Sequence, residues 1–319
     1  MERITVGNGD VELSVLVDGP ADSAELPILC VHGWPELAHS WRHQIAHFAG
    51  LGRRIAAMDV RGYGESSKPE PVAAYRMSEI CGDVAAVIDA LGGRAILFGH
   101  DWGAPIVWNT SLRHTDKVAA AAGLSVPYTP MGERSWLDVA AHVYKDRFFY
   151  QLYFQQEGVA EAEFTGDPDA LLKIYYGISG EGVARAFAHP KGPHDAFLTG
   201  MPKPDRLPDW LSAEDLAFHN EAFAKGGWRG PLNRYRAQRL DHEERAPVAG
   251  RRIAQPACFI AGTLDPVRRF MPGMDAYADP GAHLDDHRRT TLIEGAGHWV
   301  QQERPAETNA ALEAFVRGL

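Results

Sequence analysis

The spacing of apolar residues along this chain changes period repeatedly, and each change marks an element. Pro27-Ile28-Leu29-Cys30-Val31 is a short continuous apolar run that ends in the turn signal His32-Gly33-Trp34-Pro35. Arg54-Ile55-Ala56-Ala57-Met58-Asp59 repeats the pattern and ends in Arg61-Gly62-Tyr63-Gly64. Both read as strands buried on two faces, which suits a parallel sheet. Between Tyr75 and Leu91 the apolar positions are Met77, Ile80, Cys81, Val84, Val87, Ile88 and Leu91. That spacing predicts a helix with one buried face. Ala95-Ile96-Leu97-Phe98 is another buried strand, a helical segment runs from Ala104 to Arg113, and a further strand follows at Val118 to Val126. Alternation of this kind predicts an α/β fold, a mostly parallel sheet flanked by helices.

From about residue 130 to 247 the pattern is rich in aromatics and helix formers and has no convincing strand. The stretch from His189 to Trp210 carries Pro190, Pro193, Pro202, Pro204 and Pro208, which prevents a long helix there. Pro256 to Gly262 restores the strand signal, and Thr290 to Ile293 repeats it. The expected organisation is therefore an α/β core over 1–129 and 248–319, interrupted by a helical insertion over 130–247. His283 to Arg289 and Asp241 to Arg245 are charged runs that read as solvated surface.

Composition narrows the function classes. The chain has 319 residues, 45% hydrophobic and 23% charged, which is ordinary for a soluble globular protein and excludes low-complexity scaffolds. With 32 basic against 42 acidic residues the net charge is −10, which argues against non-specific nucleic-acid binding. The N-terminus has no apolar core of signal-peptide length, and the longest uncharged run, Val118 to Gly132, is interrupted by Pro127 and Pro130, so no membrane partner is expected. Cys30, Cys81 and Cys258 are an odd, scattered set in apolar runs and read as buried free thiols. A cytoplasmic location follows, and a homodimer stays open.

The sharpest local signal is Gly99-His100-Asp101-Trp102-Gly103, between the Ala95–Phe98 strand and a helix. Glycines on both sides allow a turn tight enough to lift the central side chain out of the sheet. That side chain is a carboxylate. With an ordinary pKa near ~3.9 it is ionised at neutral pH and can attack saturated carbon without a base, forming an alkyl ester. Asp265 follows the next strand in Gly262-Thr263-Leu264-Asp265-Pro266, and His298 follows the last in Gly295-Ala296-Gly297-His298. Nucleophile, acid, histidine is a chain order found where a triad is built at the carboxyl ends of parallel strands. Asp285 and Asp286 are nearer to His298 in sequence but lie in the charged run, so Asp265 is the expected acid.

Further motifs sharpen the picture. His32-Gly33-Trp34-Pro35-Glu36, Ser40-Trp41-Arg42-His43-Gln44, Asp59 through Pro69 and Gly99 through Gly103 together resemble the α/β-hydrolase-fold epoxide hydrolases. The first and last of these are shared with haloalkane dehalogenases. Phe149-Tyr150-Gln151-Leu152-Tyr153-Phe154-Gln155 and Gly230-Pro231-Leu232-Asn233-Arg234-Tyr235-Arg236 resemble the two cap motifs that set the epoxide hydrolases apart. The resemblance implies that the insertion is a cap, and that Tyr150 and Tyr235 donate to the epoxide oxygen as the ring opens; Tyr153 is the rival for the first position. It also implies backbone N–H donors at Trp34 and Trp102 for an oxyanion, Asp265 orienting His298, and His298 as general base for hydrolysis of the ester on Asp101. The implied reaction converts an epoxide and water to a vicinal diol, with no cofactor and no metal. A dehalogenase using the same three residues is the alternative, and a non-catalytic receptor on the same fold is a remoter one.

Two patterns are set aside. Gly62-Tyr63-Gly64-Glu65-Ser66-Ser67 lacks the third glycine of a dinucleotide-binding turn. His39, His43 and His47, and likewise His283 and His287, have helical spacing without a metalloprotease context, and read as polar helix faces.

Overall fold

The computed structural model describes residues 1–188 and 190–319; His189, the first residue of the proline-rich stretch, lies outside the described residues. Eight strands form one sheet: β1 (Glu2–Asn8), β2 (Val11–Asp18), β3 (Ile28–Val31), β4 (Ile55–Met58), β5 (Ala95–His100), β6 (Val118–Leu124), β7 (Ile253–Gly262) and β8 (Leu284–Ile293). Their order is β1-β2-β4-β3-β5-β6-β7-β8. β3 to β8 pair in parallel, whereas β1 with β2 and β2 with β4 are antiparallel. The N-terminal hairpin β1–β2 has no counterpart in the periodicity reading.

Helices α1 (Arg42–Gly50), α2 (Met77–Ala90) and α3 (Gly103–Arg113) join the first strands. Between β6 and β7 lie α4 (Trp136–Val143), α5 (Tyr150–Tyr153), α6 (Val159–Gly166), α7 (Ala170–Gly177), α8 (Val183–Ala186), α9 (Ala213–Gly226), α10 (Arg229–Arg236) and α11 (Gln238–Glu243); α12 (Val300–Glu303) and α13 (Pro305–Val316) close the chain. Alternate strand residues point to opposite faces. Leu29, Val31 and Leu97 pack with Ile80 and Val84 of α2 and Val107 of α3. Ile28, Cys30, Ile96 and Phe98 pack with Ile45 and Phe48 of α1 and Leu312 and Phe315 of α13. The continuous apolar runs of these strands follow from that double coverage. All three cysteines are buried and free.

The charged run His283–Arg289 is largely solvent-exposed, as its composition suggests, and from Leu284 onward it is the first half of β8. Its charges fit because β8 is an edge strand, where Asp285 pairs with Arg252 and Asp286 with Arg288 at 2.5 Å each, blunting the free edge. For the same reason His287 sits on a strand, not a helix face. His39 lies in a 3-10 turn (Ala38–Trp41) ahead of α1, so it does not share a helix with His43 and His47. Asp241 is buried rather than solvated, accepting from Arg234 and, at 2.6 Å, from the Met77 N–H. It thereby satisfies the first free N–H of α2 and ties α11 to the sheet side of the molecule. Among the described residues, no helix is long and apolar enough to cross a membrane.

Candidate active site

The strand order reverses around β3: the chain passes from β3 to β4 on one side and then to β5 on the other. Ligand crevices form at the carboxyl ends of strands flanking such a switch. The loop after β3 brings in Trp34, and the turn after β5 brings in Asp101. Asp101 has φ +50°, a left-handed conformation costly for any residue but glycine or, less so, Asx. The flanking glycines permit it: a Cβ on Gly99 would lie 2.2 Å from the Gly103 carbonyl, and one on Gly103 would lie 1.9 Å from the Val31 carbonyl.

Asp101 Oδ1 accepts from the Trp34 N–H at 2.7 Å. Its Oδ2 is 3.3 Å from His298 Nε2. On the far side of the ring, His298 Nδ1 is 3.2 Å from each oxygen of Asp265. Asp265 is held in turn by the Val267 N–H at 2.9 Å. Asp101, His298 and Asp265 thus meet as the sequence expects. Burial disfavours the charged form of His298, yet the Asp265 carboxylate and the hydrogen bonds to both carboxylates outweigh it and raise its pKa well above the ordinary value. Burial likewise raises Asp265, but the charge and hydrogen bond of His298 prevail and lower it.

Tyr150 and Tyr235 lie together over this group, with ring centroids 5.7 Å apart. The Tyr235 ring sits 5.3 Å from the indole of Trp102 and 6.0 Å from that of Trp34. Burial, reinforced by the Asp101 charge, raises both phenols above their ordinary pKa, so both stay protonated donors. Tyr153 is turned elsewhere: its hydroxyl donates to Glu163 at 2.8 Å. Asp285 and Asp286, on the exposed edge of β8, are bound up with arginines. The guanidinium of Arg234 lies 4.8 Å over the Trp102 ring and donates to Asp241 and to the Tyr75 carbonyl.

A second acid–histidine pair lies beneath the first, and the motif reading assigns it no role. His100 Nδ1 is 2.6 Å from Glu36 and its Nε2 is 2.7 Å from the His298 carbonyl. Each ring nitrogen thus faces an oxygen acceptor, and the ring is held between Glu36 and the His298 carbonyl. Burial would raise Glu36, but the adjacent His100 charge pulls it down to about 2. Glu36 also takes amide donors from Gln301 and Gln302 at 3.0 and 2.9 Å. The available sequence signal is a histidine and a glutamate standing beside otherwise apolar strand runs.

A family model described as alpha/beta hydrolase fold matches residues 27–161. The chain is 41% identical to epoxide hydrolase A of Mycobacterium tuberculosis over 100% of its own length and 98% of that protein's. Among solved structures it resembles epoxide hydrolase A of Mycobacterium thermoresistibile, with a TM-score of 0.91, 39% identity and coverage of 100% and 98%. An epoxide hydrolase mutant from Vigna radiata matches with a TM-score of 0.89 and 32% identity over 100% of this chain and 99% of that one.

Proposed function

Because the chain belongs to the epoxide hydrolases of the α/β-hydrolase fold, we propose that it hydrolyses an epoxide to a vicinal diol through an ester on Asp101. The supporting observation is one carboxylate with two differently committed oxygens. Oδ1 faces the Trp34 N–H, and Oδ2 faces His298 Nε2. Oδ2 forms the new C–O bond while the epoxide C–O bond breaks, and Tyr150 or Tyr235 gives its phenolic proton to the departing alkoxide. A phenol is matched to this task because its own acidity lies between that of water and of a carboxylic acid.

Ester formation removes the Asp101 charge. One of the causes that raise His298 is then lost, and its affinity for a proton falls. Its proton passes to the phenolate that ring opening leaves on Tyr150 or Tyr235, which restores the phenol and frees a neutral imidazole as the base for the next step. His298 takes a proton from water as the water oxygen attacks the ester carbon, and Asp265 steadies the resulting imidazolium. The N–H groups of Trp34 and Trp102 hold the oxyanion until it collapses to the diol and the free Asp101 carboxylate. Residues 130–247 serve as the cap that carries the two phenols, on a core of 1–129 and 248–319. Three buried free thiols fit a reducing cytoplasm. The halide reading is weaker because the Trp102 indole, which would serve as halide donor, is packed against Tyr235.

Single-turnover hydrolysis in ¹⁸O-water tests the route. The first diol is expected to carry unlabelled oxygen from Asp101, and the label to enter the enzyme. His298→Gln is expected to accumulate the alkyl-enzyme, visible as a mass increase equal to the epoxide. Label in the first diol, or halide release without epoxide turnover, overturns the assignment.

A further inference from the structure

From Phe187 to Ser212 the described residues form neither helix nor strand. A segment of this length without regular structure in a compact protein usually carries function. Here it places one large side chain against the site. The Phe197 ring lies 5.6 Å from the Trp34 indole and 6.2 Å from the Tyr150 ring, centroid to centroid. It stacks on Phe154 at 5.3 Å and meets Phe164 edge-on at 5.4 Å. The residue is partly exposed to solvent.

The backbone behind this ring is pinned. Glu163 of α6 accepts from the Phe197 N–H at 3.1 Å and from the Leu198 N–H at 2.7 Å. Lys191 donates to the Phe197 carbonyl, and its ammonium lies 5.1 Å from the Phe148 ring centroid. Lys191 and Glu163 thus hold the strap down from two sides. Phe154 and Phe164 pack beside the Phe197 ring and oppose its movement in their direction.

We propose that Phe197 is a specificity-determining wall of the substrate chamber, which admits terminal aryl epoxides and rejects epoxides bearing a second aryl group. The proposal rests on the epoxide chemistry assigned above. In this proposal an epoxide oxygen held by Tyr150 and Tyr235 directs one carbon substituent toward the Trp34 and Tyr150 rings, against which Phe197 packs. A single aryl ring is well received by a chamber lined with aromatic edges and faces. A second one must displace a ring that three backbone contacts hold in place.

Kinetics on styrene oxide and trans-stilbene oxide test this with wild type, Phe197→Ala and Phe197→Leu. Phe197→Ala is expected to raise the ratio of kcat/KM for stilbene oxide over styrene oxide by roughly tenfold or more, the factor one hydrophobic contact commonly sets. Phe197→Leu, which keeps the loop packed, is expected to shift the ratio in the same direction by a smaller factor. A ratio unchanged within about twofold in variants with wild-type melting overturns the role of Phe197. So does wild-type preference for stilbene oxide. If wild type turns over no epoxide, the chemistry itself is wrong and the wall falls with it; Asp101-dependent turnover with an unmoved ratio rejects the wall alone.

Discussion

At the scale of residues, the choice between two nearby tyrosines shows what chemistry demands beyond residue type. Tyr150 and Tyr153 sit in the same short helix and the same motif, yet the Tyr153 hydroxyl is bonded to Glu163 while Tyr150 faces Tyr235 over Asp101. Tyr150 itself accepts from the Gln151 amide at 3.0 Å, which leaves its proton free to be donated. Tyr150→Phe and Tyr235→Phe are each expected to slow ring opening roughly 10²-fold, the usual loss for one positioned donor, and the double change to abolish it. Rapid-quench measurement of alkyl-enzyme formation checks this. Tyr153→Phe should leave that rate near wild type, and a loss there equal to that of Tyr150→Phe would exchange the two assignments.

At the scale of elements, the site depends on how closely α3 can approach β3. Gly103, the first residue of α3, faces the Val31 carbonyl so closely that any side chain collides with backbone, not with a movable group. Gly103→Ala is expected to destabilise the fold by about 3 kcal/mol, the upper range for overpacking, and to shift Asp101 from the Trp34 N–H. Gly132→Ala, where an added Cβ meets nothing within 4 Å, is the control and should change stability by no more than ~0.5 kcal/mol. Urea midpoints of the two variants decide it, and equal midpoints would show that the elbow tolerates a Cβ. The same scale governs the grip of α9 on the sheet side. Asp215 at its start takes His39 at 2.6 Å and Arg42 at 3.0 Å, while Ser212 caps the helix by accepting from the Asp215 N–H at 3.0 Å.

For the whole molecule, buried histidines set the response to acid. His219 is buried where α9 meets the Ser40 turn; its Nδ1 donates to the Asp215 carbonyl at 2.8 Å. Burial lowers its pKa from 6.5 to about 4, so the unfolded chain binds this proton first as pH falls. The stability it contributes is complete above pH 6.5 and is lost between 6.5 and about 4, at most about 3 kcal/mol. His32, buried and accepting from the Val60 N–H, is lowered for the same reason and adds to the loss. Glu36 acts lower down: depressed from 4.5 to about 2, it stabilises above pH 4.5, and that contribution disappears toward about 2. His298 has the opposite sign. Its raised pKa stabilises fully below 6.5 and the effect is lost as pH rises through the folded value. Melting temperatures of wild type and His219→Gln at pH 7.5, 5.5 and 4 test the first window. The variant is expected to lose less than wild type between pH 7.5 and 4, and an identical slope would remove His219 from the account.

Local periodicity was enough to reveal the α/β alternation, because a strand covered on both faces must be apolar at every position and a surface helix at every third or fourth. It was also enough to expose the elbow, because only glycine fits where backbones touch, and the chain order of Asp101, Asp265 and His298 followed from it. It failed where neighbours changed the environment of a charge. Asp241 looked solvated and is buried because Arg234, seven residues earlier, folds back onto it. His283 to Arg289 reads as solvated surface and is largely exposed, but its charges hide a strand, which forms because β7 supplies its hydrogen-bond partners. The Glu36–His100 pair joins the loop after β3 to the end of β5, across α1, β4 and α2, and the Phe197 wall exists only because Glu163 and Lys191 pin a strap that no periodicity describes. Which groups are chemically able to react is written in residue type and local backbone geometry. Which of them meet, with what charge, and behind which wall depends on contacts between distant segments, and those exist only once the chain has packed.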